Sequence, residues 1–246
     1  MRPYDPVLTP VTQPKSSLAQ PESFTHSRRS FENGPSVNSQ PQHSPPQCSQ
    51  QPPRWYRQEQ IHGPLLARDR CWLLDDGSLT QRLIDTGRQF SLSRLSQRWE
   101  QPLAQERRLL SMGQRERALV RRVALRLDGD VVVFARSVFP VSSLTGPLLR
   151  LRSLASQSLG SFLFAQTDMR RSPFEIARLP GNSSYLPARL RQDTSAWARR
   201  SCFVVAGRPL LVSEVFLEGF PHWRSPMPLH RSRRGQVDAA IGRAKQ

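Results

Sequence analysis

The chain has 246 residues and a formal net charge of +17, from 36 Lys and Arg against 19 Asp and Glu. Such a charge suggests a nucleic-acid or anionic-membrane partner, but nearly every cation is Arg and the arginines are spread along the whole sequence. Because no zinc finger, RNA-recognition motif, helix-turn-helix or bilayer-length apolar run is present, we expect a cytoplasmic protein with no specific nucleic-acid partner and no membrane insertion.

Composition divides the chain into three parts. Residues 1–62 are crowded with Pro, Gln and Ser and lack apolar periodicity, which predicts a disordered arm. Residues 63–222 carry the apolar patterns of one folded domain. Residues 223–246 contain the basic run His230-Arg-Ser-Arg-Arg234 without an apolar pattern, so we expect a disordered basic tail.

The elements of the domain are predicted from periodicity and capping signals. In chain order, the pattern predicts a helix over 65–74, a helix over 79–85 capped by Ser78, a strand over 89–98, helical turns over 148–165 interrupted near Gly160, and a strand over 174–179. Two hairpins, over 117–139 and 199–217, complete the domain. Hairpins separated by helices predict an α+β fold with a mainly antiparallel sheet.

The two hairpins look like copies of each other. Asp128-Gly129 and Ala206-Gly207 are turn signals between apolar runs, because Asp and Gly tolerate positive φ. Aligning the two glycines also aligns Arg121 with Arg199. The same shift aligns Arg136 with Glu214.

Two-residue turns would fix which side chains face each other across each hairpin. Arg121 would then oppose Arg136 on one face of the sheet, and Arg199 would oppose Glu214 in the second hairpin. Two opposed arginines repel each other unless an anion lies between them, and Arg is suited to grip a carboxylate. The alternatives are a site for an acidic ligand, or a structural Arg199–Glu214 pair with ordinary surface arginines.

Metal and nucleotide chemistry have no support in the sequence. The three cysteines (Cys48, Cys71 and Cys202) are isolated, and the five histidines include no metal-binding spacing. The P-loop, the dinucleotide-binding glycine motif and the Gly-x-Ser-x-Gly nucleophile motif are all absent. We therefore expect no metal and no cofactor.

Over about residues 64–220, the chain resembles the chorismate pyruvate-lyases. The matching segments are 72–80 (Trp-Leu-Leu-Asp-Asp-Gly-Ser-Leu-Thr), 135–140 (Ala-Arg-Ser-Val-Phe-Pro), 144–147 (Leu-Thr-Gly-Pro), 159–164 (Leu-Gly-Ser-Phe-Leu-Phe), 197–201 (Trp-Ala-Arg-Arg-Ser) and 207–214 (Gly-Arg-Pro-Leu-Leu-Val-Ser-Glu). No segment is diagnostic alone, but their order and spacing together are specific to this family.

The resemblance implies a single domain with a six-stranded antiparallel sheet and helical flaps over a buried ligand. It implies cofactor-free conversion of chorismate to 4-hydroxybenzoate and pyruvate for ubiquinone biosynthesis. Arg121 would bind the ring carboxylate and Glu214 would contact the ring hydroxyl, and these two are the candidate catalytic residues. Leu159 and Leu79 would contact the ligand from the flaps, Leu79 standing where the family has Met. We expect a monomer.

A non-catalytic alternative shares this fold. The effector domains of some bacterial transcription regulators bind small acids without converting them. Those regulators need a winged-helix domain, which the composition of residues 1–60 cannot supply. The sequence therefore favours the enzyme over the ligand sensor.

Overall fold

The computed structural model describes residues 48–61, 65–154 and 157–220. Within them lie the strands β1 (Tyr56–Arg57), β2 (Phe90–Glu100), β3 (Ala118–Leu127), β4 (Asp130–Pro140), β5 (Arg170–Arg171), β6 (Glu175–Leu179), β7 (Ala196–Val205) and β8 (Arg208–Phe216). The α-helices are α1 (Ala67–Leu73), α2 (Leu79–Ile84), α3 (Ala104–Leu109) and α4 (Leu159–Phe164). Short 3-10 helices cover Gln58–Gln60, Val141–Ser143, Gly146–Ser153 and Ala188–Leu190.

The strands form one antiparallel sheet in the order β1-β6-β7-β8-β4-β3-β2, and β5 also pairs with β7. This confirms the predicted α+β fold with an antiparallel sheet. The two strands beyond the expected six are short, since β1 and β5 have 2 residues each. None of the helices in the described part of the chain has the length and apolar character that a bilayer crossing requires.

The N-terminal boundary of the fold lies earlier than the predicted residue 63. In β1, Tyr56 pairs with Ile176 of β6. The Trp55 ring packs against the Tyr185 ring at a centroid distance of 6.3 Å. This aromatic contact and the strand pairing draw residues before 63 into the sheet, which a composition argument could not detect. The rest of the predicted arm, up to residue 47, and the predicted tail lie outside the described residues.

The first hairpin has the predicted turn but not the predicted register. Asp128 and Gly129 have φ values of 50° and 91°, as the two-residue turn requires. A β-bulge then shifts the pairing between Leu125 and Arg126. Beyond the bulge, Arg121 opposes Ser137 instead of Arg136. The predicted Arg121–Arg136 opposition is therefore wrong, because one extra residue moves Arg136 to the other face.

The second hairpin has the predicted register throughout. Ala206 and Gly207 have φ values of 49° and 70°, and the pairing from Val205–Arg208 back to Arg199–Glu214 has no bulge. The structural counterpart of Glu214 in the first hairpin is therefore Ser137.

The two faces of the sheet bury different sets of side chains. We call the face with Arg121, Arg199 and Glu214 the front face, and the face with Arg136 and Arg200 the back face. On the front face, α2 packs on β3 and β4 in one apolar cluster and α4 packs on β7 in another. On the back face, α3 docks through an ion pair between Glu106 and Arg136.

Candidate active site

A cavity lies between the front face of the sheet and the two helices α2 and α4, which we call the flap helices. Its walls are mostly apolar, and the side chains that contribute include Leu92, Val123, Leu125, Leu163, Phe203 and Val212. The charged side chains that line it are Arg121, Arg171, Arg199 and Glu214. With these groups ionised, the lining carries two net positive charges. A cavity of this kind suits a flat apolar ring that bears acidic groups.

Arg121 lies on β3 and is 1% exposed. Its Nη2 donates a hydrogen bond of 2.8 Å to the carbonyl oxygen of Gln157, which directly precedes the capped start of α4. Burial lowers the pKa of Arg121 to about 10, and the positive charge of Arg94 adds to this effect. A buried cation in a ligand cavity is a natural anchor for a carboxylate.

Arg199 and Glu214 form a cross-strand ion pair between β7 and β8. Nε of Arg199 donates to Oε2 of Glu214 at 2.6 Å. Its Nη1 donates to the carbonyl oxygens of Trp72 and Asp75, at 2.7 and 2.9 Å. Arg199 thus fixes both the glutamate and the chain segment that leads into α2. Within the described residues, Oε1 of Glu214 accepts no hydrogen bond, so it can accept one from a ligand hydroxyl.

Strand order sets the spacing between the two ends of the cavity. Arg121 is on β3 and Glu214 is on β8, with β4 between them. Two strand spacings separate their backbones by about 10 Å across the sheet. The two side chains can therefore contact opposite ends of a single six-membered ring.

The flap helices begin at the cavity. Ser78 caps α2 by accepting a hydrogen bond from the Gln81 N–H, and Ser158 caps α4 in the same way. Leu79 and Leu159 are the first residues of these helices and line the cavity. Their backbone N–H groups have no acceptor within their own helix. Ser158 Oγ also donates to Thr80 Oγ1 at 3.0 Å, which joins the two flap helices.

Arg171 and Ser201 are polar residues of the cavity lining that did not stand out in the sequence. Arg171 on β5 is 5% exposed. Ser201 on β7 is buried, and among the described residues its hydroxyl has no hydrogen-bond partner. The two-residue strand β5 is too short to show alternation. Ser201, however, lies two residues from Arg199 and therefore on the same face, and this spacing was available in the sequence.

Arg136 is not part of the cavity. It lies on the back face, 5% exposed, and donates from Nε and Nη2 to the two carboxylate oxygens of Glu106, at 2.8 and 2.9 Å. Burial alone would lower the pKa of Arg136, but the hydrogen bonds and charge of Glu106 outweigh it and raise that pKa. Arg136 is therefore a structural cation that holds α3 on the sheet.

Comparison with known proteins decides the family. A family model described as chorismate lyase matches residues 50–224. The chain belongs to the chorismate lyase family. The match starts earlier than the resemblance over 64–220 that the sequence motifs suggest, in agreement with the position of β1.

Curated relatives in this family cover most of the domain. A probable chorismate pyruvate-lyase of Aromatoleum aromaticum is 41% identical over 157 residues, which is 61% of this chain and 85% of the relative. One of Idiomarina loihiensis is 36% identical over 178 residues, covering 70% of this chain and 89% of the relative. The chain is thus a lyase-family protein.

Solved structures give a weaker likeness. The effector domain of PhnF from Mycobacterium smegmatis is 14% identical and covers 58% of this chain and 89% of that chain, with a TM-score of 0.43. The trehalose repressor effector-binding domain from B. subtilis is 10% identical, covers 59% and 99% of the two chains, and has a TM-score of 0.40. Likeness at this level carries no argument about the ligand.

The cavity brings together the four residues that the family resemblance assigns to the ligand. Arg121, Glu214, Leu79 and Leu159 line it. In the described ranges, no three His, Cys, Asp or Glu side chains are grouped as metal ligands.

Proposed function

We propose that this protein converts chorismate to 4-hydroxybenzoate and pyruvate, and that the product feeds ubiquinone biosynthesis. The observation that carries the proposal is the cavity itself. Its walls are apolar, and buried Arg121 and the Arg199–Glu214 pair lie at its opposite ends. Family membership supports the reaction type. The alternative function, sensing of a small acid, has no specific observation in its favour.

The reaction needs little chemistry from the protein. The C–H bond of the ring carbon that bears the hydroxyl breaks and releases a proton, its electrons complete the aromatic ring, and the C–O bond between the neighbouring ring carbon and the enolpyruvyl oxygen breaks. The departing oxygen becomes the ketone of pyruvate as the methylene carbon gains a proton, so atoms and electrons balance. Because aromatisation is strongly favourable, the protein mainly holds one reactive conformer and excludes water.

Arg121 is assigned to the ring carboxylate. It is buried in the cavity lining, and its planar guanidinium carries several donors in a geometry that suits a carboxylate. Its hydrogen bond to the Gln157 carbonyl couples ligand binding to the start of α4. A bound carboxylate also relieves the unfavourable burial of the Arg121 charge.

Glu214 is assigned to the ring hydroxyl. Its Oε2 is held by Arg199, and an ionised carboxylate can only accept hydrogen bonds, which suits the hydroxyl of the substrate. A further role for the Glu214 carboxylate is to accept the proton that leaves the ring in the reaction. Glu214→Gln tests both roles, because a variant with full kcat and unchanged KM would exclude the binding role and the proton-acceptor role alike.

Leu79 and Leu159 are assigned to the ligand through their backbone N–H groups. Both stand at the first position of a flap helix. A side-chain change that keeps the backbone geometry, such as Leu79→Met, is therefore expected to leave kcat/KM near the wild-type value. This would account for Leu at a position where the family has Met.

The test combines product analysis with one matched pair of variants. Wild-type protein mixed with chorismate is expected to release 4-hydroxybenzoate and pyruvate in equal amounts. Arg121→Gln is expected to lower kcat/KM by roughly 100-fold, since a charge-assisted contact to the ring is lost. The control is Arg122→Gln, a neighbour on the back face that pairs with Glu100. Equal effects of the two changes would contradict the assignment.

A further inference from the structure

Arg171 is a buried cation that lines the cavity. Its guanidinium carbon lies 4.4 Å from the ring centroid of Phe174 and 5.9 Å from that of Phe203. Across the described ranges, Arg171 forms neither a hydrogen bond nor an ion pair through its side chain. Burial, together with the nearby charge of Arg199, lowers the pKa of Arg171 to about 10, and the charges of Asp76, Glu214 and Asp75 offset only part of this effect.

Four other buried arginines of this fold are neutralised by carboxylates. In the described part of the chain, these pairs are Arg82 with Asp75, Arg136 with Glu106, Arg199 with Glu214 and Arg200 with Glu175. An uncompensated buried charge is costly to a folded protein. Because Arg171 lines a ligand cavity, an anionic group of the ligand would pair with it and remove this cost.

Strand order places Arg171 beyond Glu214 as seen from Arg121. The order across the cavity is β3 with Arg121, β4, β8 with Glu214, β7 with Arg199, and then β5 with Arg171. The guanidinium carbons of Arg171 and Arg199 both lie close to the ring of Phe174, at 4.4 and 4.6 Å from its centroid. Arg171 therefore belongs to the Glu214 end of the cavity, whereas Arg121 is at the other end.

This placement matches the second acidic group of the proposed substrate. Chorismate has one carboxylate on the ring and another on the enolpyruvyl group. The enolpyruvyl ether is attached to the ring carbon next to the one that bears the hydroxyl. If the hydroxyl contacts Glu214 and the ring carboxylate contacts Arg121, then the enolpyruvyl group lies at the Arg171 end.

We propose that Arg171 binds the enolpyruvyl carboxylate of chorismate, as a second anion site alongside Arg121. The proposal rests on the proposed function. The lining would then match the substrate in charge, with two net positive charges facing two carboxylates. Since 4-hydroxybenzoate has no enolpyruvyl group, Arg171 would hold substrate but not the aromatic product, and would thereby favour chorismate over product in the same cavity.

The test compares two ligands in four proteins: wild type, Arg171→Gln, Arg171→Lys and Arg170→Gln. Arg170 is the exposed neighbour on β5 and serves as the matched control. Steady-state kinetics with chorismate and calorimetric titration with 4-hydroxybenzoate are measured for each. Arg171→Gln is expected to raise KM for chorismate by roughly 10- to 100-fold. Because the carboxylate is present in ground and transition states alike, kcat should change little.

The product titration separates binding from folding. In Arg171→Gln, affinity for 4-hydroxybenzoate is expected to stay at the wild-type value, which also shows that the variant is folded. Arg171→Lys should recover part of the chorismate affinity, and Arg170→Gln should resemble wild type. An unchanged KM for chorismate, or equal loss of affinity for both ligands, would overturn the proposal.

Failure of the proposed function would be recognised separately. If wild-type protein did not convert chorismate, that function would fall. Calorimetric affinities of wild type and Arg171→Gln for intact chorismate would then decide the Arg171 assignment. A loss confined to chorismate would support it, and equal affinities would refute it.

Discussion

Replacing Glu106 by Gln is expected to destabilise the protein strongly without changing the cavity. The change leaves the Arg136 guanidinium buried on the back face without its counter-charge. The side chains of this pair are 6% and 2% exposed, and two hydrogen bonds of 2.8 and 2.9 Å join them. Removing one partner of a buried pair typically costs about 3–5 kcal/mol, so we expect a loss of that size in the free energy of unfolding.

The matched control is Glu100→Gln. Glu100 also makes two hydrogen bonds to an arginine, Arg122, but the side chains of that pair are 25% and 28% exposed. Partial solvation should limit the loss to about 1 kcal/mol. The double change Glu106→Leu with Arg136→Met should recover much of the stability, since apolar groups can replace a buried ion pair.

Urea unfolding followed by tryptophan fluorescence measures these differences, and chorismate KM is measured on each folded variant. Because Glu106 and Arg136 lie behind the sheet, KM should match wild type in all of them. Equal losses of stability for Glu106→Gln and Glu100→Gln would refute the burial argument. A raised KM in the double variant Glu106→Leu with Arg136→Met would refute the assignment of Arg136 to a structural role.

Three further outcomes are expected. In Gly160→Ala, the new Cβ would lie 2.9 Å from Ser78 Oγ, so the contact between the flap helices should loosen; stopped-flow measurements should show severalfold faster release of 4-hydroxybenzoate. Ser201→Ala removes a buried hydroxyl without a partner among the described residues, so urea unfolding should show a gain of about 1 kcal/mol in the ligand-free protein; a loss would contradict this. Burial raises the pKa of Cys202 to about 12, which leaves the thiol neutral at pH 8 and unreactive. Mass spectrometry after iodoacetamide treatment should find Cys202 modified only in urea.

The sequence predicted the hairpins because their turns have strong local chemistry. Asp128-Gly129 and Ala206-Gly207 take the positive φ values that the turn signals imply. The register of the second hairpin followed directly from its turn. In the first hairpin, a bulge reverses the face of Arg136, and apolar residues on both sides of the turn gave no sign of it.

The candidate site could be predicted only in part. Arg121 and Glu214 stood out as charges at the ends of apolar strands, and Leu79 and Leu159 came from the family resemblance. Arg171 lies on a strand of 2 residues, and its role depends on pairing between β5 and β7, which are distant in sequence. A lone Arg-Arg pair in a basic chain gives no local signal of burial.

The most direct test of the central claim is a single measurement of chorismate conversion. Purified protein is mixed with chorismate in buffer without added metal or cofactor, and products are followed by proton NMR. We expect 4-hydroxybenzoate and pyruvate to appear in equal amounts until chorismate is exhausted. Saturable binding of chorismate or 4-hydroxybenzoate without any pyruvate release would contradict the account and identify the cavity as a sensor for small acids.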